Sequence, residues 1–505
     1  MVGHVTDRMD NTLTSRAQVL PRVTRIGAPA RTTPSPKTLS PKSSAIPPLS
    51  ALGLLTVLLG AALPMVDFFI VNVALPTIDT DLNAGPAVLE MVVAGYGVAY
   101  AVLLVFGGRL GDMFGRRNLF LWGLATFALT SLACGIAPNA WTLVGARVAQ
   151  GAASALLLPQ ALATIQAATS GSSRGKALSY YGATAGVSSV VGQVLGGVLV
   201  SANIAGSGWR AIFLVNVPVA ALAFVLALRS VPETRSPNPA RIDRSGTLLL
   251  AVTLITLLLP LTEGRAAGWP LWSWALLAVS PFAAAAFVAV ERHGERTGGH
   301  PLLPPSLVRI HSVRSGLLLI LPFCVGFGGF MFVLAVALQD GLNFGALAAG
   351  AALAPLCAAF FAASLLGPRA VARFGRATVT FGSLVQGVGL LALAGTFYWG
   401  WPHLGVWALA PAMALAGFGQ GFVLPVVIRI VLSEVPPTQA GVGGGAMATP
   451  QQASLALGVA TLGTLFLSLS SAIGVRDALV WTLLAQLGTV VVTTALSLRL
   501  PRKVV

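Results

Sequence analysis

The chain has 505 residues, 55% hydrophobic and only 9% charged, with a mean hydropathy of +0.83 and a formal net charge of +16. A soluble protein carries roughly a quarter charged residues, so the composition excludes a water-soluble globular body. Apolar runs recur from Ala51 to Leu498 at the length that crosses a hydrocarbon core about 30 Å thick, which identifies a polytopic, all-α membrane protein.

Residues 1–48 hold seven Pro, many Ser and Thr and no periodic apolar pattern. They read as a disordered, basic cytoplasmic tail, either without a specific role or acting as a regulatory or lipid-contacting arm. The first apolar run is too long for a signal peptide and should itself direct insertion. Fourteen candidate spans follow, near 51–78, 86–108, 118–136, 139–166, 177–200, 211–229, 246–262, 270–290, 315–338, 345–366, 377–398, 404–428, 443–470 and 477–498.

An even count places both termini on one side, and charge decides which. With the N-terminus in the cytoplasm, the 31 Lys and Arg divide into 7 in the tail, 20 in cytoplasmic connections and the C-terminus, Arg147 within a span, and only Arg210, Arg265 and Arg476 outside. That is a strong positive-inside signal. The basicity is therefore topological and points to a cell-membrane, multi-pass protein that meets anionic lipid, not to a nucleic-acid partner.

Span 1 holds Asp67 and, above it, Asn72, while span 4 holds Arg147. A charge inside the bilayer costs at least ~2.5–3.5 kcal/mol and commonly marks function. From the span ends, Asp67 and Arg147 lie at depths within ~5 Å of each other at 1.5 Å per residue. They suit either a buried structural ion pair or a proton-coupling site in which a neighbouring cation and desolvation oppose each other. Arg147, Gln150, Gly151 and Ser154 fall on one helical face, a polar stripe suited to a central cavity with Asn72 and, in span 12, Gln420. Tyr96 in span 2 is either core packing or a cavity ring. Glu90, at the outer end of span 2, is an interfacial residue or a second protonatable site.

Between spans 2 and 3 lies "GGRLGDMFGRR", Gly107 to Arg117. Gly108, Gly111 and Gly115 allow a tight link close to neighbouring helices. Asp112 among Arg109, Arg116 and Arg117 breaks the basic trend and should have partners. The arrangement suits a cytoplasmic gate that holds in one conformation and releases in another, or a static anchor. Span 5 carries Ala185, Ser189, Gly192 and Gly196, with Gly197 beside them, and span 13 carries Gly441, Gly445 and Ala448. Such small residues permit close helix packing, here expected between the two halves, and Gln193 adds an amide that can face the interior.

The chain also repeats itself. "GPRAVARFGRA", Gly367 to Ala377, echoes the loop with Gly107, Arg109, Phe114, Gly115 and Arg116 each offset by 260. "GFGQGFVLP", Gly417 to Pro425, echoes "GAASALLLP", Gly151 to Pro159, at an offset of 266. The expected organisation is a six-helix unit in 49–230, a linker with two extra spans in 231–312, a second six-helix unit in 313–500 and a short tail at 501–505. Two parallel repeats are an architecture of secondary transporters.

The loop "GRLGDMFGRR" resembles the signature between helices 2 and 3 of the major facilitator superfamily. "VDFFIVNVALPTID", "RVAQGAASALLLP", "VVGQVLGGVL" and "WRAIFLVNVP" resemble the fourteen-span drug:proton antiporters of that superfamily. The resemblance covers about 50–500 and implies a major facilitator fold and a gating role for Asp112 and Arg116. Two positions depart from the family's pattern: Glu90 stands where an amide followed by tryptophan is usual, and Gln193 replaces the proline that usually follows Gly192.

Cys134, Cys324 and Cys357 fall inside spans as packing residues, and His4, His293, His300, His311 and His403 lack metal-ligand spacing. No hydrolase triad order, P-loop or zinc motif is present, so no enzyme, metal or cofactor beyond the coupling proton is expected. The reading is a monomeric, proton-driven exporter of a small hydrophobic or cationic compound, working by alternating access between lipid-embedded halves. The alternatives are a proton-coupled uptake symporter or facilitator, which would call for more hydrogen-bonding groups in the cavity, and a membrane sensor or scaffold, which would call for an appended domain.

Overall fold

Fourteen helices long and apolar enough to cross a membrane follow one another in the computed structural model, which describes residues 48–235, 243–264, 267–299, 301–435 and 440–500. They are α1 (Ala51–Leu82), α2 (Gly85–Phe114), α3 (Arg116–Gly135), α4 (Ala140–Ala168), α5 (Gly171–Ala202), α6 (Asn216–Ser230, entered through Gly208–Arg210 and Ala211–Leu214), α7 (Arg244–Glu263) and α8 (Leu271–Arg296). The second run comprises α9 (His311–Val336), α10 (Ala346–Phe374), α11 (Ala377–Gly400), α12 (Val406–Ser433), α13 (Ala440–Gly458, extended by Val459–Gly463 and Thr464–Ile473) and α14 (Val475–Ser497). No strand occurs among the described residues. The tail expectations for residues 1–47 and 501–505 lie outside them.

Most helices start or stop on local signals. Ser50 caps α1 by accepting from the Gly53 N–H at 3.0 Å, Asn139 caps α4 through the Thr142 N–H at 2.9 Å, and Asp243 caps α7 through the Gly246 N–H at 2.8 Å. Asn83 ends α1 in the left-handed region at φ 47°. Several helices overrun the apolar windows read from sequence: α1 continues to Leu82 and α5 begins at Gly171, because hydropathy marks only the hydrocarbon-spanning part of a helix. Pro64, Pro76, Pro159, Pro260 and others sit inside spans, as neighbouring helices allow.

The two halves use the same pairings. α2 packs on α4, α1 on α5, α3 on α4 and α6, and correspondingly α10 on α12, α9 on α13, α11 on α12 and α14. Between halves the crossings are reciprocal, α5 on α10 and α13 on α2. The atoms at the crossings match too. A Cβ on Gly151 would overlap the Tyr96 carbonyl, and one on Gly417, its repeat partner, would overlap the Leu356 carbonyl, where Leu356 is the repeat partner of Tyr96. The loop repeats as well: Gly115 and Gly375 both take positive φ, 95° and 56°, a conformation glycine reaches without strain.

One packing expectation is corrected. Gly192 and Gly196 do not face the other half; they close onto α1 of their own half, with a Cβ on Gly192 falling 2.6 Å from the Val66 carbonyl oxygen and 3.2 Å from the Ile70 amide. The matching closure is Gly458 against Val325 and Gly329, so Gly458 occupies the repeat position of Gly192. Gly197 is buried beside them. The surroundings of Gly441 and Gly445, and of Ala185 and Ser189, lie outside what is described. α5 does meet the other half, through Gly182 against Pro425 and Gly186 against Phe360, because a helix at the seam has one small-residue face for each neighbour. The inserted α7 and α8 pair with each other, and α7 rests on α2 and α13.

Candidate functional site

Asp67 and Arg147 form a direct ion pair, Nη1 to Oδ2, with both side chains 0% exposed. Around it, Gln150 donates from Nε2 to Asp67 Oδ1 at 3.0 Å and to Ser131 Oγ at 2.6 Å, while its Oε1 accepts from Arg147 Nη1 at 2.8 Å. Asn216 donates from Nδ2 to Asp67 Oδ1 at 2.6 Å, and Arg147 Nε donates to the Val92 carbonyl at 3.1 Å. The guanidinium lies over the Tyr96 ring at 4.2 Å and near Phe213 at 5.6 Å, positions that favour a desolvated cation. Tyr96 hydroxyl bonds to the Pro64 carbonyl at 2.8 Å and to Ser154 Oγ at 2.7 Å. Five helices, α1, α2, α3, α4 and α6, thus converge on one charge pair. Within this network Arg147 Nη2 has no hydrogen-bond partner among the described residues.

The sequence placed Asp67 and Arg147 at similar depth, and helical spacing put Gln150 and Ser154 on the Arg147 face. Asn216 and Ser131 were missed. Asn216 is a lone polar residue in the apolar "LVNVP" and Ser131 sits beside Thr130 in "ALTSLAC", signals shared with many packing residues.

The cavity is elsewhere. A space of about 320 Å³ lies between α1 and α2 of one half and α9 and α13 of the other, walled by Phe68, Asn72, Val93, Phe332 and Gln339 among others. It reaches the surface at the exposed Pro76 and Asp340, the end opposite the loop Gly107–Arg117. Toward the loop the path is filled by aromatic rings: Phe68 meets Phe69 edge to face at 5.0 Å, Phe69 meets Phe327 at 6.4 Å, and Phe323 stacks on Phe327 at 6.1 Å.

Of the six residues expected in a central cavity, Asn72 lines it, with Oδ1 unpartnered among the described residues. Tyr96, Gln150 and Ser154 do not; they are fully buried in the ion-pair network, because the polar stripe of α4 turns toward α1, α2 and α3. Gln193 is buried near Met331, Nε2 to Sδ 3.9 Å. Gln420 is fully buried, with neither amide atom partnered among the described residues. The Glu90 side chain lies outside what is described.

At the loop end, Asp112 accepts from Arg116 at 2.8 Å, both buried. The Arg116 backbone N–H donates to the Thr234 carbonyl at 3.0 Å, and Arg117 donates to the Leu228 carbonyl. These contacts stay within the N-terminal half and the start of the linker that follows it. Gly108 is buried, and a Cβ on Gly111 would overlap the Gln160 amide, which itself donates to the Gly107 carbonyl at 2.8 Å. The residue that reaches out is Arg109: buried in α2, it donates to the carbonyls of Pro301 and Leu302, just before α9. Glu291 Oε2 accepts from the next N–H, Leu303, at 2.7 Å. Beside it, burial opposes the charge of Asp243, yet hydrogen bonds from the Gly246 N–H and Ser245 hydroxyl hold its carboxyl below the usual range. In this conformation Arg109 ties the loop to the segment ahead of α9, while Asp112 and Arg116 pair with each other.

Among the described residues no group of three or more His, Cys, Asp or Glu could hold a metal. The arrangement can bind an uncharged or cationic apolar compound in the cavity and hold or exchange a proton at a buried carboxylate.

Comparison with known proteins agrees with this geometry. The chain matches the Major Facilitator Superfamily over residues 57–459. It is 34% identical to the "Probable actinorhodin transporter" of Streptomyces coelicolor over 87% of this chain and 78% of that one. It is 36% identical to the puromycin resistance protein of Streptomyces alboniger, covering 82% and 81%, and 30% identical to the multidrug resistance protein Stp of Mycobacterium tuberculosis, covering 82% and 75%. In fold it is similar to the proton:xylose symporter XylE, with a TM-score of 0.58 at 16% identity over 87% of this chain and 94% of that one. The human organic anion transporter MFSD10 gives the same TM-score and identity over 87% and 98%. With its fourteen spans, its doubled six-helix unit and this match, the chain belongs to the major facilitator superfamily.

Proposed function

We propose that the protein is an efflux transporter for antibiotics or similar hydrophobic compounds, driven by proton entry and working by alternating access. Its relatives are named for antibiotic export and resistance. The carrying observation is that, among the described residues, a buried pair of this kind inside the spans occurs in one half only. The crossings that set Val66 against Gly192 and Val325 against Gly458 put Gly326 where Asp67 stands, and the Gly151–Gly417 match puts Met413 where Arg147 stands. The second half builds the same fold without the charges, so their desolvation cost is not required by the architecture and is retained for use.

The mechanism follows from the contacts. In this state the Asp67 carboxylate and the Arg147 guanidinium neutralise each other, and a proton arriving at Asp67 takes the place of that contact. Protonation in turn frees α4 from α1, the two helices the pair ties together. Asp67 is adjacent to Phe68, which walls the cavity, so the proton and the compound meet across one layer of side chains. The cavity open at one end and the Arg109 tie at the other describe one of the two alternating states. The basic connections support a cytoplasmic Gly107–Arg117 loop and cytoplasmic termini, and on that orientation this state faces outward from the cell membrane. The working unit is a monomer, since both halves of the site lie in one chain, and its partners are the compound and the bilayer, with no nucleic acid.

The test uses energised inside-out vesicles and ethidium. Proton release in the wild type and none in Asp67→Asn is the expected result. Release in both would move coupling away from Asp67. Silence in the wild type across a broad compound panel, with the protein present in the membrane, would overturn proton antiport.

A further inference from the structure

The two spans inserted between the halves have no counterpart in the repeat, and a peripheral position would leave them irrelevant to transport. The structure places α7 otherwise. Leu254 and Leu258 are buried against Ala101 and Val102 of α2, with Ala453 and Ala456 of α13 packed on the same cluster. α7 therefore covers the seam where α2 of one half meets α13 of the other. One turn further, Leu261 and Thr262 form part of the wall of the 320 Å³ cavity. Two and four turns before Thr262, outside the cavity wall, the same helix is exposed at Ile255 and Leu248.

The chemistry of that wall is specific. The Thr262 hydroxyl donates to the Leu258 and Leu259 carbonyls at 3.0 and 3.1 Å, so its oxygen keeps a lone pair for an incoming donor. Asn72 Oδ1 offers a second acceptor without a partner among the described residues. Leu261, Phe68 and Phe332 supply the apolar surface. A buried acceptor left unpaired is costly, so a compound that satisfies it is selected over one that does not.

We infer that α7 is part of the substrate site, and that Leu261 and Thr262 determine which compounds are accepted: those with a rigid apolar body and a hydrogen-bond donor. The inserted spans are then a specificity wall that closes the seam against lipid. This inference rests on the export reading above.

The experiment compares export of ethidium and of the bulkier rhodamine 6G by Leu261→Trp, Leu261→Ala, Thr262→Val and Ile255→Trp, each with its membrane level measured. Equilibrium binding of both dyes to the purified proteins is measured in parallel. Leu261→Trp is expected to lower rhodamine 6G relative to ethidium by roughly tenfold, in export and in affinity. Leu261→Ala should shift the ratio the other way. Thr262→Val, nearly isosteric, should weaken both dyes, because each carries amino N–H donors. Ile255→Trp, exposed on the same helix two turns away from the cavity wall, should leave the ratio unchanged. Ratios and affinities equal to wild type in all the cavity-facing variants, or a shift as large in Ile255→Trp, would overturn the inference. A wild type that binds both dyes with this dependence but exports neither would defeat the export reading and leave the specificity wall standing.

Discussion

The two halves of this chain share helix pairings and crossing atoms yet differ in what they bury. Around α1, α4 and α6 the N-terminal half encloses Asp67, Arg147, Gln150 and Asn216. At matching places the C-terminal half has Gly326, Met413 and Ala416, and a single amide, Gln486, donates to the Gly326 carbonyl at 3.0 Å. The loops differ likewise. Arg109 is buried on the carbonyls before α9, while its copy Arg369 is exposed; Asp112 pairs with Arg116, while its copy is Ala372. One scaffold thus appears twice, once with the charged chemistry and once with apolar packing. Glycine crossings and apolar surfaces make the fold, and charge is an addition to it.

This contrast can be broken most severely at the pair. Arg147→Met, which copies the second half, should destabilise the purified protein by about 3–5 kcal/mol by leaving Asp67 unpaired in an apolar site. Adding Asp67→Gly should recover most of that in thermal unfolding while proton release stays absent. A double variant as unstable as the single would show that the pair does belong to the architecture. Next come the crossings, where the halves should behave alike. Gly151→Ala and Gly417→Ala each force a Cβ into a neighbouring carbonyl and should each cost about 1–3 kcal/mol. A large difference between them would deny that the crossings are equivalent.

The loops should respond unequally. Arg109→Ala removes charge-assisted bonds worth about 1.5–3 kcal/mol, whereas Arg369→Ala, being exposed, should stay within about 0.5 kcal/mol. Labelling of a cysteine introduced at the loop end should rise only in the former. A small effect is also expected at Gln420, whose amide has no partner among the described residues; Gln420→Leu should alter unfolding by less than about 1 kcal/mol, or stabilise. A larger loss would mean that this amide works in another conformation of the cycle.

Much of this was legible in the linear chain. Hydropathy located fourteen spans because a bilayer demands about twenty apolar residues per crossing, and the echoes at Gly367 and Gly417 exposed the duplication. The charges at Asp67 and Arg147 stood out because burial in lipid makes them costly. Depth along a helix is countable, so their proximity could be read as well.

Rotation about a helix and the choice of neighbour are not countable in the same way. A polar face on α4 suits a cavity or a buried network equally, and only packing showed that it meets α1, α2 and α3 while the cavity opens beside Asn72. The small residues of α5 announced close contact but not with which helix, since a seam helix has more than one neighbour. Asn216 joined the site because α6 turns it toward Asp67. The inserted α7 looked like a spacer until its place on α2 and α13 made it a wall. The sequence by itself determined which segments cross the membrane, that they are doubled and where the charge is buried, because these follow from local composition and periodicity. The partners of each face were decided by tertiary structure alone, because side-chain contacts between distant segments depend on how all fourteen helices pack together.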